Sequence, residues 1–203
     1  MKLPIKQTNH FSIYRAFPYW YIVALSKDLK NIPLRVQLWD TPLVVFRNQN
    51  GKAHTLLDRC AHRNVPLSLG KIQDGKLQCG YHGWLFDEEG ICRNIPALCN
   101  GHQSKTRKVP AFPTIEQQGY IWVYADHQSL PNHQPYSFPH LDDPGYTVIS
   151  YQTDFEATIH STAENILDVP HTAFLHKGLF RNSERNPLRT KVKRYNQQVQ
   201  CEY

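Results

Sequence analysis

Residues 60–93 of this chain read CAHRNVPLSLGKIQDGKLQCGYHGWLFDEEGICR. This stretch contains two short pairs, Cys60-x-His62 and Cys79-x-x-His82, with sixteen residues between them. Each pair offers one thiolate and one imidazole from a short loop, and both groups are good ligands for iron and zinc. The stretch therefore predicts a metal centre assembled from two loops.

The mixture of residue types within each pair indicates which metal centre is present. A Rieske [2Fe–2S] centre places two cysteines on one iron and two histidines on the other. Zinc sites usually pair cysteine with cysteine and histidine with histidine along the chain. The mixed pairs favour the Rieske cluster, with a zinc site and four unrelated residues as the alternatives. Gly80 and Gly83 allow the close backbone approach that a buried cluster needs, and Trp84 is placed to shield it from water.

Residues 60–93 resemble the Rieske domain of the Rieske non-haem iron oxygenases, with Arg63 after the first histidine and Tyr81 to Trp84 around the second. Respiratory bc-type Rieske proteins are a poorer match, because each of their loops carries an extra cysteine for a disulfide. Residues 63–69 contain no cysteine. The resemblance implies that a [2Fe–2S] cluster is bound by four residues: Cys60, His62, Cys79 and His82.

Residues 164–176, ENILDVPHTAFLH, carry a second pattern, Asn-x-x-Asp-x-x-His-x-x-x-x-His. It resembles the mononuclear iron motif of the same family, which implies Fe(II) bound by His171 and His176. The resemblance also implies that Asp168 hydrogen-bonds a ligand histidine and connects it to a Rieske histidine of a neighbouring subunit. Asn165 matches a position close to the metal that is usually not a ligand.

The two histidines of this motif are five residues apart, which is roughly 140° around a regular helix. One small ion cannot be reached from both positions unless the helix is irregular. Pro170 lacks a backbone donor and disturbs the helical ladder, so we expect a broken helix here that lets both imidazoles converge. The alternative is a helix with two ordinary histidines.

A two-histidine, one-carboxylate iron site also needs an Asp or Glu ligand. In the oxygenase family this carboxylate lies far downstream, and only Glu184 and Glu202 follow His176 here, neither in a ligand context. The third ligand is therefore missing from this chain. Residues 198–203 alternate polar and apolar side chains as a strand does, and we expect this strand to lack its partners. Both observations predict an oxygenase truncated at its C-terminus.

The sequence predicts three regions. Residues 1–125 form an all-β Rieske domain with an N-terminal lead-in, since Asn50-Gly51, Asp74-Gly75 and Glu89-Gly90 each separate apolar runs, as hairpin turns do. Residues 126–145 are rich in proline and read as a linker. For residues 146–203 the resemblance implies the first part of a mononuclear-iron catalytic domain, the start of an α+β, helix-grip-like fold.

Composition indicates the cellular compartment of the protein and the kinds of partner that it binds. Five cysteines without a signal peptide predict a reducing compartment, the cytoplasm. The apolar run at residues 11–25 contains Arg15 and Pro18 and is shorter than the roughly 20 residues that a membrane span needs. The net charge of +6 favours an acidic electron donor through electrostatic steering. Dispersed lysines and arginines argue against nucleic acid.

The resemblance implies the oxygenase component of a Rieske system. Electrons from NAD(P)H would pass through a reductase, a ferredoxin or both to the cluster, and then by way of Asp168 to the mononuclear iron. O2 would there oxidise a small organic substrate, aromatic or cyclic, by hydroxylation or demethylation. Full-length family members are typically homotrimers. The alternative is a Rieske-type electron-transfer protein with a vestigial, inactive catalytic domain.

Overall fold

A computed structural model of the chain describes residues 18–96, 107–176, 178, 190–195 and 198–202. Among these, residues 18–148 form one compact unit and the residues from 149 onward form a second. The predicted domain limits at 125 and 146 stay predictions, although the division between the two units falls close to the second of them.

The first unit is built from antiparallel strands. The strands are β1 Trp20–Leu25, β2 Leu34–Leu38, β3 Thr41–Arg47, β4 Ala53–Leu57, β5 Lys71–Gln73, β6 Lys76–Gln78, β7 Leu85–Phe86, β8 Cys92–Asn94, β9 Ala111–Phe112, β10 Thr114–Gln117 and β11 Tyr120–Tyr124. Within the described residues of this unit they pair in three sheets, in the orders β1-β11-β10, β2-β3-β4-β9 and β5-β6-β7-β8. The predicted all-β fold of this region is confirmed, and the three predicted glycine turns join β3 to β4, β5 to β6 and β7 to β8.

Strand β3 separates two parts of the core. Its residues 43–46 are completely buried, and because successive side chains of a strand point to opposite faces, they divide between two sets of neighbours. Val44 and Phe46 pack in a cluster that includes Cys60 and Cys79. Leu43 packs in a different cluster, with Val123 of β11. The cysteines of the predicted metal centre therefore belong to the same buried cluster as two side chains of this strand.

Both ligand loops lie in the segment of the chain between strands β4 and β9. The chain leaves the second sheet at the end of β4 and returns to it at β9, which pairs Leu56 with Ala111. The residues between these strands include the whole sheet β5-β6-β7-β8. This segment contains the four predicted cluster ligands. It begins at the end of β4 and ends at β9, which pairs with β4.

The segment predicted as a linker, residues 126–145, packs on the sheet that contains β1 and β11. The ring of Phe138 lies 5.7 Å from that of Tyr120 and 6.1 Å from that of Trp122. The Phe138 amide donates to the Gln118 side chain at 2.8 Å, and the Trp20 indole donates to the His133 carbonyl at 2.8 Å. A proline-rich composition indicated the irregular backbone, but aromatic burial holds the segment against the domain.

The second unit contains helices α1 Ile159–Leu167 and α2 Thr172–Leu175 and strands β12 Lys191–Tyr195 and β13 Gln198–Glu202. The strand predicted at residues 198–203 is seen as β13, but the expected lack of a partner was wrong. Strand β12 pairs with it, with Val192 opposite Cys201. Within the described parts of the chain, no helix has the length and apolar character that a membrane crossing requires.

Candidate metal centres

The first ligand loop follows β4 and closes on itself by two backbone hydrogen bonds. The Cys60 amide donates to the Val65 carbonyl at 2.9 Å, and the Asn64 amide donates to the Cys60 carbonyl at 2.9 Å. Asn64 has a φ of 56°, in the left-handed region that asparagine tolerates better than most residues. The loop thereby turns Cys60 inward and leaves His62 at its exposed tip.

The second ligand loop, between β6 and β7, repeats this hydrogen-bond pattern. The Cys79 amide donates to the Trp84 carbonyl at 2.8 Å, and the Gly83 amide donates to the Cys79 carbonyl at 3.0 Å. Gly83, four residues after its cysteine as Asn64 is after Cys60, also has a positive φ, 70°. The two loops have the same backbone scheme, although the histidine is two residues after the cysteine in one and three in the other.

Of the four predicted ligands, the two cysteines are buried and the two histidines are exposed. Cys60 and Cys79 are 2% and 3% exposed, and Cys79 is close enough to contribute to the raised pKa of the Cys60 thiol. His62 and His82 are exposed, with ring centroids 4.7 Å apart. Two buried sulfurs on the inner side and two imidazoles on the outer side match a cluster whose two irons take different ligand pairs.

The electrostatics of the site also fit an iron–sulfur cluster. Burial, with a further contribution from Cys79, raises the pKa of the Cys60 thiol to about 11. A thiolate at this buried position therefore needs a compensating positive charge, which a bound iron provides. Loss of water around the His62 ring, with smaller contributions from His82 and two nearby arginines, lowers the pKa of His62. A lowered pKa favours the neutral imidazole, which is the form that ligates metals.

A buried carboxylate anchors the end of the first ligand loop. Asp58 is 2% exposed and accepts hydrogen bonds from the amide and the hydroxyl of Ser68, both at 2.7 Å. Ser68 belongs to the short 3-10 turn Leu67–Leu69 that leads from the loop to β5. This anchor was missed from sequence, because a lone aspartate before a ligand loop has no distinguishing spacing.

An aromatic stack lies beside His62. The His62 and Trp84 rings are parallel within 2°, with centroids 4.7 Å apart. The Arg107 guanidinium carbon lies over the Trp84 ring, 5.3 Å from its centroid. Sequence reasoning singled out Trp84 as a shield for the cluster but missed Arg107, which is 23 positions later in the chain.

The helix that carries the second motif is broken where the sequence predicted. Helix α1 ends at Leu167, and Asp168 has φ −81° and ψ 81°, outside the helical region. Pro170 lies in a single 3-10 turn, Val169–His171, before the short α2. The His171 and His176 rings are brought to a centroid separation of 5.4 Å at an angle of 70°. The expected convergence of the two imidazoles is therefore present.

Asp168 contacts His171 through its backbone and its side chain. The Nδ1 atom of His171 is hydrogen-bonded to the backbone carbonyl of Asp168, and the Asp168 carboxylate lies 3.6 Å from the same nitrogen. A carbonyl can only accept, so Nδ1 carries the proton and Nε2 presents its lone pair. Ligand histidines are commonly oriented this way. The resemblance implied that Asp168 hydrogen-bonds a ligand histidine, and the structure shows its backbone carbonyl as the acceptor from His171.

The remaining residues of the second motif do not complete an iron site. Asn165 is exposed on the last turn of α1, and its expected place near the metal stays a prediction. His160, also on α1, pairs with Glu164 at 3.2 Å. Within the described residues, no three His, Cys, Asp or Glu side chains are grouped as ligands of one metal ion. His171 and His176 fit two positions of a mononuclear iron site, and the third ligand is not among these residues.

Comparison with known proteins supports the interpretation of both motifs, the one at residues 60–93 and the one at residues 164–176. Residues 19–113 match the family of the Rieske [2Fe-2S] domain. The oxygenase component of dicamba O-demethylase from Stenotrophomonas maltophilia is 33% identical over 161 residues, which are 78% of this chain and 47% of that protein. Methylxanthine N1-demethylase NdmA from Pseudomonas putida is 33% identical over 193 residues, which are 91% of this chain and 54% of that protein. The chain thus spans about half the length of these curated relatives.

Solved structures give the same result. The structure of Pseudomonas putida NdmA superimposes with a TM-score of 0.76 at 33% identity, over 90% of this chain and 57% of that one. Dicamba monooxygenase bound to dicamba superimposes with a TM-score of 0.75 at 30% identity, over 91% of this chain and 55% of that one. The similarity therefore extends through the Rieske domain into the region of His171 and His176. The chain belongs to the family of Rieske non-haem iron oxygenases.

Proposed function

We propose that this chain acts in the oxygenase component of a Rieske system, which uses O2 and electrons derived from NAD(P)H to oxidise a small organic molecule. The observation that carries the proposal is the convergence of His171 and His176 across the helix break, in the same chain as the segregated cysteine and histidine pairs. An electron carrier needs only the cysteine and histidine pairs that would hold the cluster. An oxygenase also needs the two converging histidines.

In this proposal the Rieske domain receives and passes on single electrons. Cys60, Cys79, His62 and His82 would hold the cluster, which when bound supplies a one-electron couple at roughly −150 to +300 mV, against about −400 mV for an all-cysteine plant-type cluster. The buried cysteines exclude water from the inner side. The exposed histidines make the outer side the place where electrons enter and leave.

The second motif would hold the iron at which O2 and substrate meet. His171 and His176 would supply two ligands, and a mononuclear iron bound there offers open coordination positions for O2 chemistry. The carbonyl of Asp168 fixes the tautomer of His171 and so leaves Nε2 without a proton, the state in which it can ligate a metal. The Asp168 carboxylate is 54% exposed. We assign it the role of connecting His171 to a Rieske histidine of another copy, in a trimer of full-length subunits.

The proposed substrate class and partners follow the relatives. The names of two relatives describe removal of a methyl group, from dicamba and from a methylxanthine. We propose hydroxylation or demethylation of an aromatic or cyclic compound by this chain. A ferredoxin, an NAD(P)H-dependent reductase or both would supply the electrons, and the cytoplasm is the proposed location.

A second candidate function is electron transfer by the Rieske domain alone, with an inactive iron site. The absence of a third ligand near His171 and His176 among the described residues favours it. The two functions differ in whether the second motif binds iron. An electron carrier has no use for iron beyond its cluster.

Binding of Fe(II) to the cluster-loaded protein tests the proposal. Nitric oxide serves as the probe, since it binds ferrous iron that has an open position and gives a paramagnetic complex. We expect one further Fe(II) per chain, with an affinity that falls at least about tenfold in His171→Ala and His176→Ala while the cluster content stays constant. His160→Ala, which alters a nearby histidine outside the pair, is the matched control. No additional iron, or equal binding by all variants, would leave the electron carrier as the better account.

A further inference from the structure

The structure holds a positive charge in a fixed place beside the histidine side of the cluster site. Arg107 lies over the Trp84 ring, and Trp84 lies flat against His62. Trp84 is 9% exposed, so its ring is enclosed by its neighbours, whereas Arg107 reaches the surface. Three side chains from separate parts of the sequence thus form one stack that ends at a cluster ligand.

The backbone around Arg107 keeps this stack in position. The Cys92 amide donates to the Arg107 carbonyl at 2.9 Å, and the Val109 amide donates to the Gly90 carbonyl at 2.8 Å. These bonds fix residues 107–109 beside β8 and the turn before it. A guanidinium is planar and packs on aromatic faces, which an ammonium group does less well. The side chain of Arg107 is therefore held by its ring contact and its anchored backbone together.

We propose that Arg107 is a positioning residue that raises the reduction potential of the Rieske cluster, by holding a permanent positive charge against the Trp84–His62 stack. Adding an electron makes the cluster more negative, so a nearby cation stabilises the reduced form more than the oxidised form. The inference rests on the cluster of the proposed function and does not depend on the oxygenase chemistry.

The stacking distances set the size of the effect. Together they place the guanidinium no more than about 10 Å from the His62 ring. A unit charge at about 10 Å, with an effective dielectric constant between about 20 and 80, changes the equilibrium constant of a one-electron reduction by roughly 2- to 15-fold. A tenfold change corresponds to about 59 mV for such a couple.

Lys108 offers a matched control, because it is the next residue, carries the same charge and is exposed. It pairs with Ile91 through its backbone, whereas the charge of Arg107 is one of those that lower the pKa of His62. Arg107→Gln and Lys108→Gln change the net charge of the protein equally. A difference between the two variants therefore reports position and not overall charge.

The experiment is a redox titration of the cluster in the purified protein, followed by its visible spectrum, with sulfide content measured for each variant. We expect Arg107→Gln to lower the equilibrium constant for reduction of the cluster by about 2- to 15-fold, and Arg107→Glu to lower it further. Arg107→Lys should keep this constant closer to the wild-type value than Arg107→Gln does. Lys108→Gln should differ from wild type by less than twofold.

Several results would overturn the inference. These are equal potentials in Arg107→Gln and Lys108→Gln, a shift in Arg107→Lys as large as that in Arg107→Gln, or loss of the cluster in Arg107→Gln alone, which would make Arg107 a structural residue. A wild-type protein without a cluster would instead refute the proposed function. The two failures are therefore distinguishable.

Discussion

Replacing Gly70 by alanine should separate the two ligand loops. Gly70 follows the turn Leu67–Leu69 at the end of the first loop, and its backbone lies against Gln78, the residue before Cys79. A Cβ atom at position 70 would lie 1.9 Å from the Gln78 carbonyl oxygen and 3.0 Å from its carbon. Gly70 has a φ of −91°, which alanine adopts freely, so the expected effect is purely steric.

The size of the effect follows from the distance. Cβ atoms do not approach other heavy atoms closer than 3.0 Å, so the two backbone segments must move apart by at least about 1 Å. Overpacking typically costs about 1–3 kcal/mol. We expect about 3 kcal/mol, at the upper end, because the opposing atom is backbone and cannot rotate away. A shift of this size also changes the separation of Cys60 and Cys79, and so we expect most of the cluster to be lost.

Gly51→Ala is the matched control. Gly51 has a φ of 76° and nothing within 4 Å of a Cβ, so alanine there costs only the left-handed backbone strain of about 1–2 kcal/mol. The assay measures acid-labile sulfide per chain and the urea midpoint of both variants. If Gly70→Ala keeps wild-type sulfide and loses no more stability than Gly51→Ala, the close approach of the loops does not control cluster binding.

Three further changes test individual residues. Cys79→Ser should abolish the visible absorption and the reduced-state paramagnetic resonance signal of the cluster; an unchanged signal would show that Cys79 is not a ligand. His171→Ala should leave sulfide content and the cluster spectrum at wild-type values, since His171 lies in the second unit; cluster loss would contradict the assignment of His171 to a second metal centre. Asp168→Asn in a full-length oxygenase should slow electron transfer from cluster to iron at least about tenfold with normal cluster content; an unchanged rate in stopped-flow reoxidation would remove the connecting role.

The local chemistry of both motifs could be predicted from the sequence. The identity and spacing of two pairs, Cys60 with His62 and Cys79 with His82, predicted one ligand set. The structure buries both cysteines and brings the two histidine rings together, and their role as ligands stays a prediction. Pro170 predicted the helix break because a missing backbone donor acts within one turn. These features depend on neighbours close in the chain, and spacing reports them directly.

Contacts between distant segments were not predictable in this way. Arg107 reaches Trp84, and Phe138 packs on Trp122, across chain separations that no periodicity records. Strand β12 pairs with β13, although the alternation at residues 198–203 predicted a strand without its partners. In each case tertiary packing decides the outcome, because the sequence contains the partners but not their pairing.

Measurement of iron and acid-labile sulfide in anaerobically purified protein, together with the midpoint potential of the chromophore, tests the central claim most directly. The claim that two thiolates and two imidazoles hold a Rieske cluster predicts about two sulfides and at least about two irons per chain, with a midpoint between roughly −150 and +300 mV. Zinc without sulfide, or a midpoint near −400 mV as in an all-cysteine plant-type cluster, would contradict it.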